Sequence, residues 1–139
     1  MRSAAIWLLV TYIAAVPAHA QCLSYEPTAV ALEGLLSTKI FYGPPNYGET
    51  PQQDAKEPQY LLSLEKPICT NRDPKSPDLN EAESSVTVVE LVAGTAELRK
   101  ALRSALGRKV LVNGTLFHAQ TAHHHTPVVL TLTQVRDAV

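Results

Sequence analysis

Histidine is the residue type whose spacing in this chain most suggests chemistry. Four of the five histidines lie within eight residues, namely His118, His123, His124 and His125. Imidazole is a common ligand of transition metals. The cluster therefore makes these four side chains candidate ligands for zinc, copper or nickel. No carboxylate lies within the cluster, so a metal site needs a further ligand from elsewhere in the chain, unless the loop departs from strand geometry.

The alternation of residues on the flanking strands predicts how the histidines point. Apolar residues alternate along 110–116 and again along 128–132, which is the period of strands with one buried face. Continuing the two rows places His118 and His124 toward one end of a barrel, whereas His123 and His125 point outward together. The alternative is that these side chains hydrogen-bond within a tight loop.

Hydrophobic periodicity and turn residues define the elements that must position this cluster. We predict strands at residues 30–41, 60–64, 85–92, 110–117 and 127–135, and a helix capped by Thr95 and ended by Gly107. Gly34 inside the first strand indicates a bulge or a sharp bend. The order β-β-β-α-β-β is mainly β and fits a small OB-like five-stranded barrel with one helix. The alternative is an open α+β sheet with the helix packed on it.

The N-terminal residues have the pattern of a secretory signal peptide. Arg2 precedes an uncharged, mostly apolar run at 4–16, and Ala18-His19-Ala20 provides small residues for cleavage after Ala20. We therefore predict a signal peptide at residues 1–20 and a single OB-like domain at 21–139. No other hydrophobic run is long enough for a stable membrane span in the mature chain. The protein is expected to be exported, with the periplasm favoured over the extracellular space.

The two cysteines support the same compartment. Cys22 and Cys69 both lie in the mature chain, and an even number of cysteines in an exported protein predicts a disulfide. Two cysteines allow only one intrachain pairing.

Composition and motifs argue against two classes of function. The formal net charge of -1 over 139 residues is not that of a nucleic-acid-binding protein. The sequence holds no GxSxG, HExxH, phosphate-binding loop or cysteine nucleophile, so we expect no enzymatic activity and no resident cofactor.

The remaining interpretation is a small exported binding domain. Its predicted surface combines the loop at 43–47 with the hairpin at 118–127, where aromatic rings provide contact area and histidines provide hydrogen bonds. The ligand is expected to be an envelope protein, a peptide or a glycan. The alternative is a periplasmic metal-binding protein that uses the histidine cluster. The candidate ligand-binding residues are Tyr42, Asn46, Tyr47, Phe117, His118, His123 and His125.

Several motifs resemble a family of exported bacterial domains whose function is unknown. They are GPPNY at 43–47, PIC at 67–69, GTLFHA at 114–119 and HHHTPV at 123–128. The family pattern has glycine where this chain has Ala122, so the turn before the three consecutive histidines is expected to be less tight. The resemblance implies export and a single domain, and it brings no activity or catalytic residue.

Overall fold

The computed structural model of the chain describes residues 21–139. The predicted signal peptide at 1–20 lies outside the described residues. The elements, in chain order, are β1 (Ala29–Tyr42), β2 (Lys56–Thr70), β3 (Glu83–Val92), α1 (Ala96–Ala105), β4 (Lys109–His118) and β5 (Val128–Asp137). This order confirms the predicted β-β-β-α-β-β arrangement.

The five strands form one sheet that closes on itself. The strand order is β1-β2-β3-β5-β4, and β1 pairs with both β2 and β4, which closes the barrel. All pairs are antiparallel except β3 with β5, which is parallel. The OB-like interpretation is thus confirmed, and the alternative of an open sheet is wrong. Because the sheet closes, each strand has a neighbour on both sides along at least part of its length. This protects the strands from pairing edge to edge with other chains.

Gly34 is the point at which β1 changes partner. It lies opposite Leu64 of β2 and Val110 of β4. A Cβ atom at this position would overlap the backbone carbonyl oxygen of Ser63. The glycine is therefore required because two backbones approach each other closely here.

The barrel interior is filled by the alternating rows that the sequence predicts. Val110, Val112 and Leu116 of β4 are fully buried, and so are Val128 and Leu130 of β5. Each such side chain contributes about 1.5–3 kcal/mol through burial. Because these side chains point into the barrel, they fix the orientation of the β4 and β5 backbones from which the β4–β5 connection leaves.

Helix α1 begins and ends as its sequence predicts. The Thr95 hydroxyl accepts a hydrogen bond from the backbone N–H of Leu98 at 3.2 Å, which is an N-cap. Leu102 and Ala105 are buried against the barrel, and Gly107 adopts a positive φ of 76° just after the helix. Leu106 follows the last helical residue and is 39% exposed.

Strand β2 is much longer than the predicted strand at 60–64. Pro67, a residue type that rarely lies within a sheet, lies inside the strand. The pairing of β2 with β1 ends at Leu64, and its pairing with β3 shifts between Ser63 and Ile68. Pro67 therefore falls where neither neighbour pairs with it, so its missing N–H costs no ladder hydrogen bond.

The predicted disulfide between Cys22 and Cys69 is present. Leu23 extends the connection, since its N–H donates to the Cys69 carbonyl and its own carbonyl accepts from the Asn71 N–H. The N-terminal segment is thus fixed to the end of β2, and the disulfide is consistent with an exported protein. None of the helices within residues 21–139 has the length and apolar character needed to cross a membrane.

Candidate functional site

Two loops meet at one end of the barrel. They are the β1–β2 loop (residues 43–55) and the β4–β5 loop (residues 119–127). The ring of Phe41, at the end of β1, stacks on the imidazole of His125, with ring centroids 3.8 Å apart and parallel planes. This stacking places the end of β1, just before the loop at 43–47, in direct contact with the loop at 118–127.

Glu57, the second residue of β2, lies against both outward-facing histidines. Its Oε1 is 2.9 Å from Nδ1 of His123, and its Oε2 is 3.8 Å from Nε2 of His125. Neither Glu57 Oε2 nor His125 Nε2 has a hydrogen-bond partner among the described residues, although both are buried. The carboxylate occupies the place that a Cβ of Gly43 would need. A glycine at position 43 thus lets Glu57 reach the β4–β5 loop.

A second glutamate, Glu90 of β3, bonds the same β4–β5 loop to the barrel. Glu90 of β3 is only 1% exposed, and its carboxylate accepts a hydrogen bond from the backbone N–H of His125 at 2.7 Å. The Glu90 N–H donates to the Thr126 hydroxyl, which in turn donates to the Val128 carbonyl. A buried carboxylate is costly unless it is hydrogen-bonded, so this network ties the loop to the barrel.

The β1–β2 loop is organised around a buried aspartate. Asp54 accepts hydrogen bonds from the backbone N–H groups of Asn46 at 2.9 Å and Gly48 at 2.7 Å. Burial acts to raise the pKa of Asp54, but the hydrogen bonds from Gly48, Asn46 and Thr50 outweigh it and hold the pKa below its ordinary value. The loop therefore carries an ionised, internally bonded carboxylate.

An open groove lies between the two loops. Its volume is about 530 Å³. Tyr47 is 52% exposed and Ile40 is 54% exposed, so the groove presents apolar area to solvent. The lining residues are Lys39, Ile40, Phe41, Tyr42, Tyr47, Ala122 and His125. The Nζ atom of Lys39 lies 5.0 Å from the centre of the Phe41 ring, close enough for a cation–π contact.

The predicted binding residues divide into two groups. Tyr42, Tyr47 and His125 line the groove, whereas Asn46, Phe117, His118 and His123 are not part of its lining. The side chain and N–H of Asn46 are used inside the loop, where they bond Thr50 and Asp54.

His118 belongs to a different cluster. Its Nε2 is 2.8 Å from Oε1 of Glu83, and its backbone N–H donates to the Asn80 side chain. The neighbouring Tyr25 ring meets the imidazole edge-on, and burial raises the pKa of the Tyr25 hydroxyl. His118 thus connects β4 to the β2–β3 region.

The predicted directions of His118 and His124 assumed that both residues continue a strand, and only His118 lies in one. Strand pairing between β4 and β5 ends at His118 and Val128, so His124 lies in a turn. Its ring meets Phe117 edge-on at 5.0 Å, and its Nδ1 accepts a hydrogen bond from the Gln120 N–H. His123 and His125, by contrast, do face a common partner, which is Glu57.

The histidines therefore do not form one convergent set. Within residues 21–139, no group of three or more histidine, cysteine, aspartate or glutamate side chains is arranged to hold a metal ion. Binding of zinc, copper or nickel by His118, His123, His124 and His125 stays a prediction, and the geometry of the described residues does not support it.

Three residues important to the site were missed by the sequence reasoning. Glu57 and Asp54 lie in a polar stretch without periodicity, and only the pairing of Phe41 with Glu57 shows why the latter matters. Glu90 did carry a signal, since it is a charged residue within the valine-rich strand at 85–92. A charge in such a run indicates a buried partner.

Comparison with family models gives a match for one part of the chain. Residues 88–136 match the model of a domain of unknown function, DUF4431. The DUF4431 match runs from within β3 through α1 and β4 to β5, so it includes the β4–β5 loop and the motifs at 114–119 and 123–128. It does not reach the motifs at 43–47 and 67–69. Comparison with curated proteins and with solved structures gives no match.

Proposed function

We propose that this protein is an exported binding domain that recognises a glycan of the cell envelope through the groove between its two loops. The observation that carries the proposal is the groove itself. Three aromatic side chains, Phe41, Tyr42 and Tyr47, line one open hollow beside His125 and Lys39. Aromatic faces pack against the C–H faces of a pyranose ring, while hydroxyl, imidazole and ammonium groups bond its hydroxyls.

The position of the groove on the barrel supports this ligand class. OB-type barrels use the loops between strands 1 and 2 and between strands 4 and 5 to bind oligosaccharides or oligonucleotides. Among the described residues that line the groove, Lys39 is the only lysine or arginine, and the formal net charge of the chain is -1. Phosphate backbones are bound mainly through clustered basic residues, so an oligosaccharide is favoured over a nucleic acid.

A peptide ligand is the less favoured partner of this groove. Extended peptides often bind by adding a strand to an open sheet edge. In the described barrel every strand pairs with two neighbours along part of its length, so no strand offers an open edge along its whole length. Export is supported by the Cys22–Cys69 disulfide, and the periplasm remains the favoured compartment.

The test is a ligand titration followed by NMR on the disulfide-bonded protein at 21–139. The probes are chitotetraose, maltotetraose and muropeptides, with the free stem peptide as the peptide probe. We expect a saccharide to shift the amide signals of Tyr42, Tyr47 and His125. The Leu79→Ala variant, which removes an exposed side chain from the β2–β3 loop, should bind equally well. Shifts caused only by the stem peptide, or no shifts at the groove, would contradict the proposal.

A further inference from the structure

Tyr47 combines an unusual backbone conformation with an exposed side chain. Its φ is 51°, in the left-handed region, and the residue is 52% exposed. Non-glycine residues adopt this conformation rarely, and they keep it where the surrounding structure enforces it. Gly48, which follows, has a φ of 100°. The chain thus makes a tight turn that carries the exposed Tyr47 side chain.

The Asp54 carboxylate enforces this turn. One of its oxygens accepts from the N–H of Asn46 and the other from the N–H of Gly48, so it holds the backbone on both sides of Tyr47. The Tyr47 N–H itself donates to the Gly43 carbonyl at 2.9 Å. Asp54 is only 7% exposed, which keeps competing water away from these bonds. Asp54 does not line the groove and so does not contact a ligand there.

We infer that Asp54 is a positioning residue that holds the Tyr47 ring ready as the stacking platform for a pyranose ring of the ligand. This inference rests on the proposed glycan-binding function and names how the groove achieves it. A ring fixed before binding loses little conformational freedom on binding, so preorganisation raises affinity without adding a contact. A tyrosine with a purely structural role would be expected to bury its ring in the barrel end, and Tyr47 does not.

The role of the ring is tested with variants of Tyr47. Asparagine tolerates the left-handed conformation, so Tyr47→Asn removes the ring and keeps the turn. We expect Tyr47→Asn to weaken binding of the saccharide that the wild type recognises by at least about tenfold, with an unchanged melting temperature. Tyr47→Trp, which keeps a stacking face, should bind within about threefold of wild type. If Tyr47→Asn binds as tightly as the wild type, the inference is wrong while the proposed function stands.

The role of Asp54 is tested by a double-mutant cycle. In Asp54→Asn an amide NH₂ replaces one of the two acceptor oxygens, so the backbone on one side of Tyr47 loses its partner. We expect Asp54→Asn to weaken saccharide binding about tenfold in the wild-type background. In the Tyr47→Asn background the same change should have no further effect, because Asp54 acts through that ring. Equal losses in both backgrounds would refute the positioning role.

A measurement without ligand tests whether Asp54 orders the turn around Tyr47. Backbone ¹⁵N relaxation should show residues 46–48 ordered in the wild type and more mobile in Asp54→Asn. Unchanged order in Asp54→Asn contradicts the positioning role whatever the ligand. A wild-type protein that binds none of the saccharides overturns both the proposed function and the stacking role of Tyr47.

Discussion

Nδ1 of His123 lies 2.9 Å from Oε1 of Glu57 and joins the β4–β5 loop to the start of β2. The two residues are 66 positions apart in the chain. Glu57 reaches His123 because Gly43 leaves the space that a side chain would fill. One contact thus depends on three segments, and it holds the β4–β5 loop, which contributes Ala122 and His125 to the groove that we propose as the binding site.

Replacing Glu57 with alanine is expected to loosen the β4–β5 loop while the barrel stays folded. The change removes the His123 contact and the nearby His125 contact but leaves the Glu90 hydrogen bond to the His125 N–H. Amide hydrogen exchange of residues 119–127 should become about tenfold faster, which corresponds to local opening that is easier by about 1.4 kcal/mol. Glu49→Ala, an exposed carboxylate in the β1–β2 loop, is the matched control and should change nothing there. Equal exchange in wild type and Glu57→Ala would show that the contact does not hold the loop.

Gly34→Ala is expected to destabilise the whole barrel. The added methyl group meets the Ser63 carbonyl, which belongs to a backbone and cannot move aside as a side chain would. Overpacking of this kind costs about 1–3 kcal/mol in the free energy of unfolding, measured by urea denaturation. Gly94→Ala is the control, because a Cβ at Gly94 meets no atom within 4 Å. A Gly34→Ala variant as stable as Gly94→Ala would mean that β1 and β2 can separate at this point without cost.

The barrel was predictable because its signals are local and periodic. Val110, Val112 and Leu116 alternate with less buried residues, and the Thr95 cap and Gly107 mark the helix ends without reference to the rest of the chain. β2 was underestimated because Pro67 reads as a strand end in isolation. The strand tolerates Pro67 because neither β1 nor β3 forms backbone pairs with β2 at that residue. A single sequence does not show where such pairing stops.

The site was predictable only as a meeting of two loops. The strand order of the predicted barrel brings residues 43–47 near residues 118–127, and Tyr42, Tyr47 and His125 do share a groove. The partners of the histidines were not predictable, since Glu57 and Glu83 reach His123 and His118 through long-range strand register. Side-chain parity failed at His124 because the chain leaves strand geometry after His118.

Removing the disulfide is expected to lower stability substantially. Cys22 and Cys69 are 47 positions apart, and closing a loop of that length contributes about 4 kcal/mol in the chain-entropy model. Urea denaturation of the Cys22→Ala/Cys69→Ala variant should show a loss of that order, and reduction of the wild type should reproduce it. The variant itself should not respond to reductant. A loss below about 1 kcal/mol would mean that the Leu23 hydrogen bonds alone fix the N-terminal segment.

Asp54 should make stability depend on pH in the acidic range. Its folded-state pKa lies below the ordinary value of 3.8 because the amide hydrogen bonds outweigh the opposing effect of burial. A carboxyl group with a lowered folded-state pKa stabilises the fold fully above its unfolded-state pKa. That contribution disappears as the pH falls through the folded-state pKa, because the carboxyl group is then protonated in both states.

Asp54→Asn lacks this contribution, so the melting temperature of the wild type should exceed that of the variant by a constant amount between about pH 5 and pH 8. Below pH 3.8 the difference should shrink as the wild-type carboxylate takes up its proton. Leu79→Ala carries no ionisable change, and its offset from wild type should stay the same across the whole range. Circular dichroism melts at matched ionic strength measure all three proteins. A wild-type advantage that persists undiminished at about pH 2, or grows on acidification, would show that the hydrogen bonds from Asn46 and Gly48 do not depend on the charge of Asp54.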